Sequence, residues 1–228
     1  MDIDDDESTL HTLRDEMVTH QLRGADITDP RVLRAMAKIP RHLFVPDDLC
    51  WRAYEDRPLP IGMGQTISQP YIVAKMTEAL DLTGGERVLD IGTGSGYQAA
   101  VLGELSREVW SVEIIPELAR RARSTLGALG YDNVHVVIGD GSLGLVEHAP
   151  YDAILVAAAS PALLPTLLGQ LGPSGRLVIP VGGRDQQTLM RFTRAGRKLT
   201  TESLGLCAFV PLTGENGWSD DRAGDATV

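Results

Sequence analysis

Cysteine is nearly missing from this chain: Cys50 and Cys207 are the only two among 228 residues. They lie 157 positions apart, with neither the density of a disulfide scaffold nor the spacing of a zinc site, so a reducing, cytoplasmic setting is expected. No apolar run approaches the roughly 20 residues needed to cross a bilayer. The chain opens Asp2-Ile3-Asp4-Asp5-Asp6-Glu7 where an export signal would be basic and then apolar. Aromatic residues make up 5% of the chain, and no long basic stripe is present, which removes the stacking platforms and phosphate-neutralising charge of a nucleic-acid binder. The five histidines show no HExxH spacing and no nearby cysteine pair, so no metal is expected.

What is present is an ordinary core-forming supply, 43% apolar residues, enough for one domain. The net charge of −10 sits largely at the ends. Residues 1–7 hold five acids and residues 219–228 three acids and one base, leaving 23 acids against 20 bases, or −3, in the body. The acidic leader, residues 1–9, and a tail over 215–228 are expected to be disordered and flexible, with one domain between them over 10–214.

Within that domain, residues 10–80 read as helical. Leu10, Leu13, Met17, Val18 and Leu22 recur at helical spacing, and Asp29-Pro30 supplies an N-cap with proline at the first helical position. The pattern then changes over 84–214. Short apolar runs at Arg87–Ile91, Val109–Val112, Val134–Ile138, Ala153–Ala157 and Leu177–Val181 alternate with helix-like stretches at 97–105, 116–129 and 162–171. Such alternation predicts a doubly wound, mostly parallel α/β sheet covered on both faces. Thr188–Arg194 and Lys198–Leu212, joined by Ala195-Gly196, predict a β-rich C-terminal end.

Where the first of these strands should turn into a helix, the sequence reads Asp90-Ile91-Gly92-Thr93-Gly94-Ser95-Gly96-Tyr97. Glycines there let backbone approach a ligand closely, and a helix start offers unpaired N–H groups. The dinucleotide fingerprint needs a glycine at the place of Tyr97, so the match is GxGxG, which weakens a pyrophosphate reading. Glu113, 23 positions after Asp90 and at the end of the next strand, can accept both hydroxyls of a ribose. Asp140, in Gly139-Asp140-Gly141 after the third strand, brings a third acid to the same edge. Asp90 could instead cap a helix, and Asp140 could fix a turn.

Together these acids and glycines resemble the class I S-adenosylmethionine-dependent methyltransferases, which implies a Rossmann-like fold and a donor cleft at the strand ends. A narrower resemblance follows from Gly64-Gln65-Thr66-Ile67-Ser68-Gln69-Pro70, taken with Gly139-Asp140-Gly141, Tyr151-Asp152-Ala153-Ile154, Gly175-Arg176-Leu177-Val178-Ile179-Pro180-Val181-Gly182 and Phe209-Val210-Pro211-Leu212-Thr213. This ordered set closely resembles the protein-L-isoaspartate O-methyltransferase family. The resemblance implies transfer of a methyl group from S-adenosylmethionine to the α-carboxylate of L-isoaspartyl residues in damaged proteins and peptides, leaving S-adenosylhomocysteine. It also implies repair through a succinimide.

By that resemblance, Ser68 matches the active-site serine, and Thr66, Ile67, Asp90, Gly92, Thr93, Gly94, Glu113, Asp140 and Gly141 match cofactor contacts. Thr66, Ile67 and Ser68, with Val210, Pro211, Leu212 and Thr213, are the candidates for holding an extended peptide by main-chain pairing. Ser68 could instead be a helix-entry cap before Pro70, and Phe209–Leu212 simply a last core strand. Two positions depart from the pattern: Val73 stands where some members carry histidine, and Ser142 follows Gly141 where members vary. A monomer without nucleic-acid or membrane partners is expected. The competing readings are a member dedicated to one peptide, methylating aspartate in biosynthesis; an RNA or small-molecule methyltransferase; an NAD-dependent oxidoreductase, disfavoured by Tyr97; and a non-catalytic binding module.

Overall fold

The computed structural model describes residues 3–218. The first and last residues, 1, 2 and 219–228, lie outside it, and with them part of the expected disorder. Helix α1 (Ile3–Glu16) takes in most of the acidic leader, where disorder was the expectation. This helix runs on into a wide turn at Met17–Leu22 with buried Met17, Val18 and Leu22. Helix α2 (Pro30–Lys38) begins as its sequence predicts: Asp29 accepts the Arg31 N–H, with Pro30 at the first position.

The helical reading of residues 10–80 misses one feature. Strands β1 (Leu59–Gly62) and β2 (Gln65–Ile67) pair as a small antiparallel hairpin before helix α3 (Pro70–Ala79). Gly62, Met63 and Gly64 all have positive φ, the conformation a tight reversal demands and glycine allows cheaply. Strands of four and three residues are too short to show an alternation that competes with helical periodicity.

The core follows as α/β alternation: β3 (Arg87–Ile91), α4 (Tyr97–Leu105), β4 (Glu108–Glu113), α5 (Pro116–Ala128), β5 (Val134–Ile138), β6 (Tyr151–Val156), α6 (Pro165–Gln170) and β7 (Leu171–Gly182). Strands β8 (Gln187–Ala195) and β9 (Lys198–Cys207) close the chain's seven-stranded sheet, whose order is β5-β4-β3-β6-β7-β8-β9. The first five strands in that order run parallel, and β8 and β9 are antiparallel. The chain winds outward from β3 to β5, then returns to start the other half at β6, so β3 and β6 flank the switch point where such sheets bind ligands. Val88, Leu89, Ile91, Ile154, Leu155 and Val156 are wholly buried there, as strands covered on both faces should be.

Two expected boundaries move. Strand β9 stops at Cys207, and residues 208–213 leave the sheet to lie along Ala159, because the Val210 carbonyl accepts the Ala159 N–H and the Leu212 N–H donates back to the Ala159 carbonyl. Residues 215–218, placed by sequence in a flexible tail, pack on the core. The Trp218 indole N–H donates to the Ala159 carbonyl at 3.0 Å and its backbone N–H to the Leu212 carbonyl at 2.8 Å.

Candidate functional site

The C-terminal ends of β3, β4, β5 and β6 open onto one cleft, lined by Gln65, Thr66, Gly92, Gly94, Glu113 and Gly141, with residues 210–213 along the far rim. It encloses about 570 Å³, part of it open to solvent, within the range of small-molecule sites. The glycine loop forms its floor. Gly92 (φ +89°) and Gly96 (φ +92°) take left-handed conformations, and a Cβ on Gly96 would meet Ala122 at 3.2 Å. These glycines therefore let the loop turn tightly and press against α5.

The loop does not offer the row of free donors that a diphosphate would need. Gly92 and Thr93 donate to the Val112 carbonyl, Gly96 to the Thr93 carbonyl, Gly94 to Glu113 and Tyr97 to the Ser95 hydroxyl. Its contribution is close backbone approach to a ligand.

Glu113 is held as a fork. One carboxylate oxygen accepts the Gly94 N–H at 2.8 Å and the other the Ile115 N–H at 2.9 Å. A carboxylate has about four acceptor positions, so two remain open at the cleft wall. Resemblance gives Asp90 a contact role. It is wholly buried beneath the loop and does not line the cleft. The Ser111 hydroxyl donates to it at 2.6 Å, and Thr93 and Ser111 share a hydrogen bond of 2.5 Å, so the acid reaches the loop through two hydroxyls. Burial, opposed by Ser111 and reinforced by Glu113, pushes Asp90 up to about 7. It caps no helix, because Gly96 holds the N-cap position of α4, with no side-chain cap bond.

Asp140 does fix a turn, accepting the Ser142 N–H at 2.9 Å, and its second oxygen accepts the Glu215 N–H at 2.7 Å. Those bonds hold its carboxyl below the usual range against the opposing effect of burial. Gly214 is required here: a Cβ on it would overlap the Asp140 carboxylate. The strap 214–218 was missed by sequence reasoning, which ended the domain at 214 and read 215–228 as a flexible tail. Asn216 completes it, its N–H donating to the Ser142 hydroxyl at 2.9 Å.

A second groove, enclosing about 700 Å³, meets the first. Its walls are Pro58, Thr66, Ser68, Gln69, Tyr71 and Ile72 on one side and Leu206–Val210 on the other. Thr66, Ala157 and Val210 line both spaces and so mark where they join. Ser68 lines the groove and a smaller recess shared with Thr66, Ile67, Val73, Thr93, Gly94 and Tyr97. It is not the helix cap. Gln69 holds the N-cap position of α3 without a side-chain bond, and the Asp56 carboxylate accepts the Tyr71 N–H at 2.9 Å in its stead. The Ser68 hydroxyl makes no hydrogen bond among the described residues.

Of the four later candidates, Val210 lines both spaces, whereas Pro211, Leu212 and Thr213 line only the first cleft. Leu206–Phe209 and Tyr71, which the sequence did not single out, line the second groove beside Val210. Nothing in the local pattern distinguishes them, because the groove is assembled from segments more than a hundred residues apart. Among the described residues no three His, Cys, Asp or Glu side chains come together as a metal site, and no helix is long and apolar enough to cross a membrane.

A doubly wound sheet with a switch-point cleft, a close glycine loop and an acid at the end of the next strand lining that cleft defines a class I S-adenosylmethionine-dependent methyltransferase. The family described as protein-L-isoaspartate(D-aspartate) O-methyltransferase matches residues 13–217, and the chain belongs to that family. It is 56% identical over 208 residues to the protein-L-isoaspartate O-methyltransferase of Methanoculleus marisnigri, covering 91% of this chain and 94% of the relative. The corresponding protein of Trichlorobacter lovleyi is 53% identical over 206 residues, covering 90% and 95%. A solved protein-L-isoaspartate O-methyltransferase superposes with a TM-score of 0.78 at 30% identity, covering 89% of this chain and 66% of that longer one. The fold also matches a structure from Plasmodium falciparum, described as a putative member of the family in complex with S-adenosyl-L-homocysteine, with a TM-score of 0.75 at 24% identity, covering 89% and 97%.

Proposed function

We propose that this chain transfers the methyl group of S-adenosylmethionine to the α-carboxylate of L-isoaspartyl residues in damaged proteins and peptides, and so starts their repair through a succinimide. The observation that carries the reading is the junction of two spaces at Thr66, Ala157 and Val210, with a ribose-type acid in one and the unbonded Ser68 hydroxyl in the other. Relatives of more than half identity carry the general name of this activity, and the dedicated-peptide alternative is not favoured.

The residues fit the donor. The Glu113 fork suits the ribose; the Asp140–Gly141 turn, closed over by the strap, suits the adenine end; and Gly92 and Gly94 bring backbone against the remainder. Asp90 supports the seat from below, through Ser111 and Thr93. S-adenosylmethionine, when bound, supplies an electrophilic methyl group that an ionised carboxylate can take directly, and carboxylates are ionised at neutral pH without a general base. The chain's work is therefore orientation and exclusion of water, which can contribute up to about 7–11 kcal/mol in well-oriented pairs. Ser68 orients the acceptor carboxylate by donating a hydrogen bond and is not a nucleophile.

Isoaspartate differs from aspartate by a methylene moved into the main chain, and apolar shape alone separates a methylene by only about 1–3 kcal/mol. Directional contacts from Thr66–Ser68 supply the rest. The Ala159 pairing already occupies the Val210 carbonyl and the Leu212 N–H, so the segment around them holds a peptide mainly by shape. The enzyme acts as a cytoplasmic monomer on protein substrates, without nucleic-acid or membrane partners. Residues 10–214 form its methyltransferase domain.

The test is labelled methyl transfer to an isoaspartyl peptide, followed by mild alkali. A carboxyl ester releases the label as volatile methanol; label that survives base contradicts the proposal.

A further inference from the structure

Arg41 is the largest wholly buried side chain in the described structure, and it is charged. It lies in the short turn Arg41–Phe44, far in sequence from either segment of the groove. Its Nε donates to the Ala53 carbonyl at 2.6 Å and one Nη donates to the Ser68 carbonyl at 2.8 Å. The other Nη is buried with no partner. The guanidinium lies over the Tyr97 ring, 4.7 Å from its centroid. Ser68 and Tyr97 both line the recess beside the acceptor groove, so Arg41 sits directly behind two of its walls.

Such an arrangement is poor value for stability alone. A buried guanidinium with only carbonyl and aromatic partners carries a desolvation cost that an apolar side chain of similar volume would not. Burial draws the group down to about 10, which leaves it cationic at neutral pH. Tyr97, Tyr54 and Asp56 surround it. Asp56, the one acid of the three, spends its oxygens on the Gln69 side chain and the Tyr71 N–H and forms no ion pair with Arg41.

We propose that Arg41 is the positioning residue of the acceptor side: its guanidinium pins the backbone at Ser68 and sets a permanent, unpaired positive charge behind the wall against which the acceptor carboxylate is held. The inference rests on the reading that Ser68 faces the acceptor. Ser68 then supplies the directional hydrogen bond, and Arg41 holds that serine in place while favouring an anionic acceptor over a neutral one.

The experiment compares binding of two peptides by the full-length enzyme with S-adenosylhomocysteine bound. One carries an isoaspartyl α-carboxylate and the other the matching carboxamide. Steady-state constants for the first and calorimetric binding of S-adenosylmethionine are measured beside them. Arg41→Met should raise the peptide KM about tenfold and shrink the preference for carboxylate over carboxamide by a similar factor, with donor affinity within about twofold of wild type. Arg41→Lys should restore part of that preference. If Arg41→Met does not fold, Arg41→Gln takes its place, and Arg41→Lys must discriminate better than Arg41→Gln. An unchanged carboxylate preference in every variant overturns the inference, as does an equal loss of donor and peptide binding. Ser68→Ala in the same series separates the two levels. If it raises the peptide KM while the Arg41 variants do not, this inference alone fails; if neither does, the assignment of the acceptor side fails with it.

Discussion

The donor cleft and the acceptor groove share three residues and are built in opposite ways. The donor cleft is made of consecutive strand ends, each delivering one acid or glycine at the same edge, and its groups are tied by backbone bonds: Glu113 by Gly94 and Ile115, Asp140 by Ser142 and Glu215. The acceptor groove is made of a hairpin, a helix start and the end of the last strand with the segment after it, brought together only by the tertiary fold. Its central hydroxyl is free, and its support is a buried cation reaching across from residue 41. The difference teaches that a donor shared by many enzymes can be held by a local pattern, whereas substrate choice is set by parts that meet only in space.

The widest separation between the two regions should come from Glu113→Ala. Hydrogen bonds to a charged group contribute about 1.5–3 kcal/mol each, so S-adenosylmethionine affinity should fall about a hundredfold in calorimetry. The peptide KM at saturating donor should hardly move; a comparable rise there would break the separation. Next in size, Ser68→Ala should lower kcat/KM for an isoaspartyl peptide about tenfold, with donor affinity unchanged. Unchanged kinetics in a folded Ser68→Ala protein would remove Ser68 from the acceptor side.

Asp90 sharpens the donor half through pH. Its folded value of about 7 lies above the value near 4 of an unfolded chain, so the folded state keeps a proton that the unfolded chain releases. Stability from this group is complete below about pH 4 and is lost as pH rises through 7, by roughly 4 kcal/mol in all. The ligand-free wild type should therefore lose several degrees of Tm between pH 5 and 8, and Asp90→Asn should lose less. Equal losses would show that Asp90 is already ionised. The smallest effect belongs outside both regions. The Arg191–Glu202 pair is partly exposed on neighbouring strands, and Glu202→Gln should change stability by under about 1 kcal/mol in denaturant unfolding and leave both substrates' constants alone.

The donor cleft was also the legible half. Its strand runs, glycine loop, Glu113 and Asp140 announce themselves because each is encoded within a few residues of a strand end. Even there, spacing could not show that Asp90 lies buried under the loop and bonded to Ser111, a residue on another strand. The acceptor half was legible only at Thr66–Ser68 and Val210. Leu206–Phe209 and Tyr71 carry no local signature, and Arg41 looks like any surface arginine until Ala53, Ser68 and Tyr97 close over it. The hairpin at 59–67 was hidden by short strands, and the strap at 214–218 fell at the domain's end and in the expected tail, although Gly214 fits against Asp140 where no side chain could.

Initial rates of methyl transfer to two peptides that differ only in carrying isoaspartate or aspartate at one position test the account most directly. The account predicts strong methylation of the isoaspartyl peptide by the wild type and little of the aspartyl one. Equal rates on both, or preference for aspartate, would contradict it.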